Sequence, residues 1–231
     1  MTTHGHISQE YEAELAAVRD RVLDMGRHVD EVLDSAGRAL STRDAKLANQ
    51  IILGDQETDT MELEIDNRCL ETLARRQPVA DDLRLLTSAM KLVIELERIG
   101  DLGVSIAARV VELVNEPPLT GPDDLIRMLI TAREMLAEAM GALETESVER
   151  ATRAIAKDDV VDGYYTQIFN DVLSRMRENP DNIFRATRIQ AISKYIERIG
   201  DHATNVAERV IFILTGEEIR HLPRVRRGDL S

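Results

Sequence analysis

One pentapeptide occurs twice in this chain. Glu-Arg-Ile-Gly-Asp occupies residues 97–101 and again residues 197–201. An identical motif repeated inside two long helical patterns predicts an internal duplication, so that each half of the chain contains an equivalent helix.

The apolar residues around the two copies step along the chain in the same way, by four and three residues. The first series is Leu92, Leu96, Ile99, Gly103, Ile106, Val110 and Leu113, and the second is Ile192, Ile196, Ile199, Ala203, Val206, Val210 and Ile213. This period is typical of a helix that packs along a coiled-coil seam. Both motif helices are therefore expected to bury this stripe.

Each copy of the motif also places a glutamate and an aspartate four residues apart. On a helix this spacing puts both carboxylates on one face. At about 100° per residue, Glu97 and Asp101 lie about 160° to either side of Ile99. The pairs Glu97/Asp101 and Glu197/Asp201 are therefore expected on a face turned away from the apolar seam.

The remaining pattern is helical throughout, without the alternation of a strand or the turn of a hairpin. Turn and cap signals divide it into six long helices, at about 7–40, from Ser41-Thr42 to about 76, and at about 79–115, 123–143, 147–178 and 182–214. The expected fold is all-α, with two tandem, internally repeated three-helix bundles. The predicted boundaries are 1–116 for the first bundle, 117–216 for the second and 217–231 for a basic mobile tail.

Composition limits the function. The chain of 231 residues has 42 acidic and 29 basic side chains, a net charge of -13. This balance argues against a nucleic-acid groove and favours metal cations or basic partner surfaces. The single cysteine, Cys69, excludes an internal disulfide and is typical of a reducing cytosol. No stretch of about 18 apolar residues predicts a membrane span, and the N-terminus lacks a signal-peptide pattern.

Two further acidic pairs have the same four-residue spacing. Asp55 and Asp59 lie in the second predicted helix, and Asp158 and Asp162 lie in the fifth. If these helices pack beside the motif helices, four carboxylates converge in each half.

The two halves then differ in their next positions. Glu62 and Asp66 extend the acidic run in the first half, whereas Tyr165 and Phe169 stand at the corresponding positions of the second. The second site is therefore expected to be the poorer one.

Clustered carboxylates repel one another unless a cation lies between them. Oxygen ligands suit Mg, Ca, Mn or iron, and carboxylates also bridge two metals. The same spacing equally fits a solvated acidic face, with Arg98 paired to Glu95 and Asp101 along the helix. Both interpretations stand on the sequence alone.

Signatures of catalysis are weak. No phosphate-binding loop, dinucleotide loop or nucleophile elbow occurs, and no pair of Glu-x-x-His motifs of the ferritin type. His202 follows Asp201 but points about 100° away on a helix, so it is expected at the surface. The carboxylate clusters leave a metal-dependent phosphohydrolase or redox enzyme as one alternative function.

The motifs resemble those of the PhoU family of bacterial phosphate-signalling regulators. They are Arg76-Gln77-Pro78 with Asp82-Leu83-Arg84, the run 95–101, and the run 196–201. The early segments 6–8 and 11–15 are also similar to its proteobacterial members, and the resemblance covers roughly residues 6 to 216.

The resemblance implies two related three-helix bundles and acidic motifs that bind iron or another divalent metal (Mg, Mn or Zn) in some members. Carried over, these motifs fall on Glu97, Asp101, Glu197, Asp201, Asp55, Asp59, Asp158 and Asp162.

The resemblance also implies a cytoplasmic negative regulator of phosphate uptake and phosphate-starvation signalling. Such a regulator acts as an adaptor between the phosphate ABC transporter ATPase and a phosphate-sensing histidine kinase. It is peripheral to the inner membrane only through these partners, and homodimers are common.

Overall fold

The computed structural model describes residues 3–119 and 122–219, and this part of the chain contains helices and no strand. The helices of the first half are α1 (Thr3–Thr42), α2 (Ala45–Leu53), α3 (Gln56–Arg76) and α4 (Ala80–Leu113). Those of the second half are α5 (Pro122–Thr145), α6 (Val148–Ala156), α7 (Asp158–Glu178) and α8 (Ile183–Thr215), with a 3-10 turn at Pro180–Asn182. The expected all-α fold is confirmed.

The six expected helices are present, but the second and the fifth are each broken by a turn. Gly54 ends α2, and its N–H donates to the carbonyls of Gln50 and Ile51, both at 3.1 Å. Glycine has a low helix propensity, which accounts for this break. Lys157 separates α6 from α7 without a comparable signal in the sequence. The prediction of two uninterrupted helices was wrong at these points.

Local capping explains most of the other helix ends. Asp44, rather than the Ser41-Thr42 pair, caps α2, and its side chain accepts hydrogen bonds of 2.9 and 3.0 Å from amides of the first turn. Ser147 caps α6 as expected, accepting from a first-turn amide at 3.3 Å. Gly216 ends α8 with a φ of 76°, which is the left-handed conformation that glycine adopts without strain.

The two halves lie side by side around a continuous hydrophobic core. Between α4 and α8, Glu95 contacts His202 while Glu112 contacts Arg188, so the two motif helices run antiparallel. The seam residues Ile99 and Ile199 are both fully buried. Packing the apolar stripes of both halves together removes them from water, which is the main favourable term for such a fold.

The domain boundaries 1–116, 117–216 and 217–231 stay a prediction, and residues 220–231 of the expected tail lie outside the described residues. Within the described ranges, none of the helices combines the length and the apolar character that a membrane span requires.

Candidate metal centre

The first acidic cluster forms where the start of α3 packs across α4. Thr58 of α3 lies directly against Gly100 of α4, where the absence of a side chain allows the close approach. This contact brings Asp59 beside the motif pair Glu97 and Asp101. One carboxylate oxygen from each of these three residues lies within 4.8 Å of the others.

The cluster is less solvated than a helix-surface pattern suggests. The Glu97 side chain is 16% exposed and the Asp101 side chain 42% exposed. Glu97 is the more covered of the two, because α3 packs over this side of α4. Arg98 lies at the rim, 3.4 Å from Glu97 and 3.7 Å from Asp101.

Three more carboxylates adjoin this group. Burial raises the pKa of Asp55, and the charges of Asp101 and Asp59 raise it further. Burial likewise raises the pKa of Glu62, followed by the charges of Asp66 and Asp59. Asp55 and Glu62 thus belong to the same electrostatic cluster, with Asp66 beside Glu62, because like charges in a half-buried site disfavour ionisation.

Two observations match the chemistry of a divalent cation. Oδ1 of Asp66 is buried and has no hydrogen-bond partner among the described residues. Burial raises the pKa of Glu97, and the neighbouring Asp101 charge adds to this. A bound cation offsets both costs, since it supplies the positive charge that a buried carboxylate otherwise lacks.

The donor set determines which metals fit. The converging atoms are carboxylate oxygens, which suit hard or borderline cations such as Mg, Mn or iron. The nearby thiol does not join them, because Cys69 is fully buried and its pKa is raised to about 12, mainly by that burial. Cys69 is therefore a core residue.

The second cluster forms in the same way between α7 and α8. A side chain added at Gly200 would meet Val161 at 3.3 Å and the carboxylate of Asp158 at 3.7 Å. Burial raises the pKa of Asp201, and the charges of Glu197, Asp158 and Asp162 raise it further, against an opposing effect of a nearby lysine. The structure thus places these four predicted residues near one another.

The two clusters differ in one contact that the sequence reasoning missed. Nζ of Lys194 donates a hydrogen bond of 2.5 Å to Oε2 of Glu197. The signal was present in the sequence as an oppositely charged pair three residues apart on a helix. Within residues 3–119 and 122–219, three carboxylates converge as closely as 4.8 Å only at Asp59, Glu97 and Asp101.

His202 does not lie free at the surface, contrary to expectation. Its Nδ1 lies 2.6 Å from Oε2 of Glu95, and Nδ2 of Asn205 donates to the same oxygen at 3.1 Å. This half-buried contact joins α4 of one repeat to α8 of the other. Spacing along a single helix could not reveal it, because the partners are more than 100 residues apart.

A duplicated helical bundle with an acidic cluster in its first repeat defines a class of all-helical, two-repeat proteins with the chemistry for binding cations. The chain belongs to the PhoU family. The model of the PhoU domain matches twice, over residues 22–110 and 125–210. These ranges contain both copies of the pentapeptide.

Full-length relatives agree with this assignment. The chain is 38% identical over 228 residues to the phosphate-specific transport system accessory protein PhoU homolog of Pseudomonas aeruginosa, covering 98% of this chain and 94% of that protein. It is 33% identical over 225 residues to the phosphate-specific transport system accessory protein PhoU of Escherichia coli, covering 96% and 92%.

Solved structures show the same fold. The crystal structure of PhoU from Pseudomonas aeruginosa matches with a TM-score of 0.86 at 36% identity, covering 90% of this chain and all of that one. The phosphate transport system regulatory protein PhoU from Streptococcus pneumoniae matches with a TM-score of 0.85 at 29% identity, covering 90% and 98%.

Proposed function

We propose that this chain is a cytoplasmic negative regulator of phosphate uptake and of phosphate-starvation signalling. It acts as an adaptor between the phosphate ABC transporter ATPase and a phosphate-sensing histidine kinase. The observation that carries this proposal is the match of both repeats to the PhoU domain, together with relatives of nearly equal length that are named as accessory proteins of phosphate transport.

The surface of the first repeat supports a role through protein contacts. Leu63 and Leu70 are exposed one above the other on α3, and Ile94 is exposed on α4, the helix that carries the first motif. Apolar side chains beside charged ones are common at sites where proteins associate. The net charge of -13 favours partners with basic surfaces. Attachment to the inner membrane then takes place through the partners.

We also propose that the first cluster holds a divalent cation, either iron or Mg, Mn or Zn. Asp55, Asp59, Glu97 and Asp101 would hold it, with Glu62 beside them. When bound, the cation would supply positive charge to this cluster of carboxylates. The protein's own residues align α3 on α4 and keep most of the Glu97 side chain from water. This alignment also fixes the position of Leu63 and Leu70 on α3 relative to Ile94 on α4.

The test of the regulatory role is phosphate uptake in cells. Deletion of the gene is expected to leave uptake of radiolabelled phosphate high in phosphate-rich medium, and a plasmid copy is expected to restore repression. Crosslinking in the same phosphate-rich cells should recover the transporter ATPase and the kinase. Normal repression in the deletion strain, or recovery of neither partner, would contradict the proposal.

An enzyme remains the second candidate because three carboxylates converge at Asp59, Glu97 and Asp101. A metal-dependent phosphohydrolase or redox enzyme predicts turnover in Mn²⁺-loaded protein, and its loss in the Glu97→Ala/Asp101→Ala variant. Absence of turnover across a broad phosphoester panel, while the purified protein still binds Mn²⁺, favours the adaptor.

The oligomeric state follows from a simpler measurement. A homodimer is expected, and light scattering coupled to size exclusion should give twice the chain mass of 25.9 kDa. A mass equal to that of a single chain would rule the homodimer out.

A further inference from the structure

The second acidic cluster contains an ammonium group in place of an aliphatic side chain. A shift of 100 residues relates the two pentapeptides, and the same shift places Lys194 at the position of Ile94. Ile94 is exposed on α4 and brings no charge to the first cluster. The two halves are therefore unlike at a position one helical turn before the motif glutamate.

The Lys194 ammonium is held on two sides. It donates to Oε2 of Glu197 at 2.5 Å and lies 5.4 Å from the centre of the Tyr165 ring. A cation over an aromatic face is attracted by the negative electron density of the ring. Tyr165 stands where the first half has Glu62, so the ring replaces a carboxylate and adds a second partner for the ammonium.

The charge of Lys194 is reinforced by this setting. The hydrogen bond to Glu197 raises the pKa of the lysine, and the negative charge of Asp201 adds to the effect. The ammonium therefore stays protonated beside the cluster at neutral pH. The second cluster therefore already has one positive charge beside it, at the place to which a metal ion would have to be attracted.

The arginines of the motif do not account for the difference. Arg98 and Arg198 occupy equivalent positions and both are exposed. Arg98 contacts the first cluster only at 3.4 and 3.7 Å. In the first half this arginine lies near two of the six carboxylates, whereas in the second half Lys194 lies within hydrogen-bond distance of Glu197, one of the four.

We propose that Lys194 is the resident counter-ion of the second cluster and keeps that cluster from binding a divalent cation. The chain then binds metal asymmetrically, through its first repeat. This inference rests on the proposed cation site of the first cluster. The family resemblance implies a metal in both halves. The donor set of the second half does not fit one, because the Lys194 ammonium is already hydrogen-bonded to Glu197.

The experiment is equilibrium dialysis of the full chain against Mn²⁺, followed by elemental analysis. Wild-type binding is expected to disappear in Glu97→Ala/Asp101→Ala and to persist in Asp201→Ala. Lys194→Ile, which copies the residue of the first half, is expected to bind about one more Mn²⁺ per chain. It should do so with affinity at least about tenfold above any second binding of wild type. Adding Asp201→Ala to Lys194→Ile should remove this gain.

Two controls isolate the ammonium. Lys194→Arg keeps the positive charge and should show no gain in Mn²⁺. Lys46→Ile removes an exposed lysine of α2 and changes the net charge by the same amount. It should show no gain in Mn²⁺ either, because we expect the gain to depend on the position of Lys194 and not on net charge. Circular dichroism confirms that each variant retains the helical fold.

The outcomes separate the two proposals. Unchanged Mn²⁺ binding in Lys194→Ile, or an equal gain in either control, would overturn the inference about Lys194. Loss of wild-type binding in Asp201→Ala would overturn it as well. Absence of any wild-type binding that depends on Glu97 and Asp101 would instead reject the cation site of the first cluster, and the comparison of Lys194→Ile with wild type would still decide the role of the lysine.

Discussion

Thr58 on α3 lies so close to Gly100 on α4 that a Cβ at residue 100 would sit 3.1 Å from the Thr58 methyl carbon and 3.3 Å from its hydroxyl oxygen. The contact determines how far α3 is shifted along α4. Because Asp59 follows Thr58 and Asp101 follows Gly100, it also determines which carboxylates converge. The glycine of the repeated motif is thus tied to the geometry of the acidic cluster.

Gly100→Ala is expected to lower the free energy of unfolding by about 1 kcal/mol. Alanine gains roughly 1 kcal/mol over glycine inside a helix, but overpacking costs about 1–3 kcal/mol. The neighbour cannot easily yield, because Thr58 is buried and β-branched. Urea unfolding of metal-free protein measures the change.

Gly163 provides the matched control for this glycine. It lies within α7, and a Cβ there would meet nothing within 4 Å. Gly163→Ala should therefore raise the free energy of unfolding by up to about 1 kcal/mol. Equal gains in both alanine variants would show that the Thr58 contact does not constrain α3.

Ile199→Asp is expected to unfold the second bundle. Ile199 is fully buried in the seam, and an unpaired charge in such a place costs at least about 3 kcal/mol. Ile130→Asp makes the same chemical change at an exposed site of α5 and should leave the fold intact. Circular dichroism and size exclusion compare the two; a folded Ile199→Asp protein would contradict the buried seam.

The first cluster should make the metal-free protein less stable as pH rises. The folded-state pKa values of Glu62 and Glu97 lie above the ordinary value of 4.5. Between the unfolded and folded pKa values the folded chain binds more protons, so stability falls as pH increases through that window. Glu62→Gln/Glu97→Gln removes this loss. Its stability relative to wild type should increase from about pH 4 to about pH 7 in the presence of a chelator.

Glu14 provides a control of opposite sign for this pH dependence. Its hydrogen bond to Arg76 lowers its pKa, so it stabilises the folded state above its unfolded pKa and loses that effect as pH falls. The free energy of unfolding of Glu14→Gln should therefore decrease relative to that of wild type as pH rises. The same trend in both variants would show that the cluster carboxylates do not repel one another as described.

Arg133→Lys is expected to destabilise the protein by about 1 to 2 kcal/mol. Arg133 of α5 makes two hydrogen bonds to Asp30, of 2.9 and 3.0 Å, and one of 2.6 Å to Asp34, which joins the second bundle to α1. Lysine cannot reproduce this planar, forked geometry.

Arg27 tests whether any arginine would behave in this way. It is exposed and pairs with Asp24 within the same helix, so Arg27→Lys should change stability by less than about 0.5 kcal/mol. Thermal unfolding of both variants provides the comparison. Equal losses of stability in the two variants would mean that the hydrogen bonds of Arg133 to Asp30 and Asp34 contribute no more than an exposed ion pair.

Local patterns predicted a large part of this molecule. Stepping of apolar residues by three and four located the helices and their buried stripes, including Ile99 and Ile199, because helical periodicity is a property of neighbouring residues. The spacing also identified the acidic pairs. The breaks at Gly54 and Lys157 were missed, since the apolar pattern continues through both and only the first is marked by a residue of low helix propensity.

The sequence by itself determined the duplication, the all-helical fold and the carboxylates available for a metal site. Only the tertiary structure decided how these parts meet. It covered Glu97 with α3, paired Glu95 with His202 across the two repeats, and brought Tyr165 to the Lys194 ammonium. These contacts depend on how far one helix is shifted along another, and that shift is set by close packing between residues distant in sequence, such as Thr58 and Gly100.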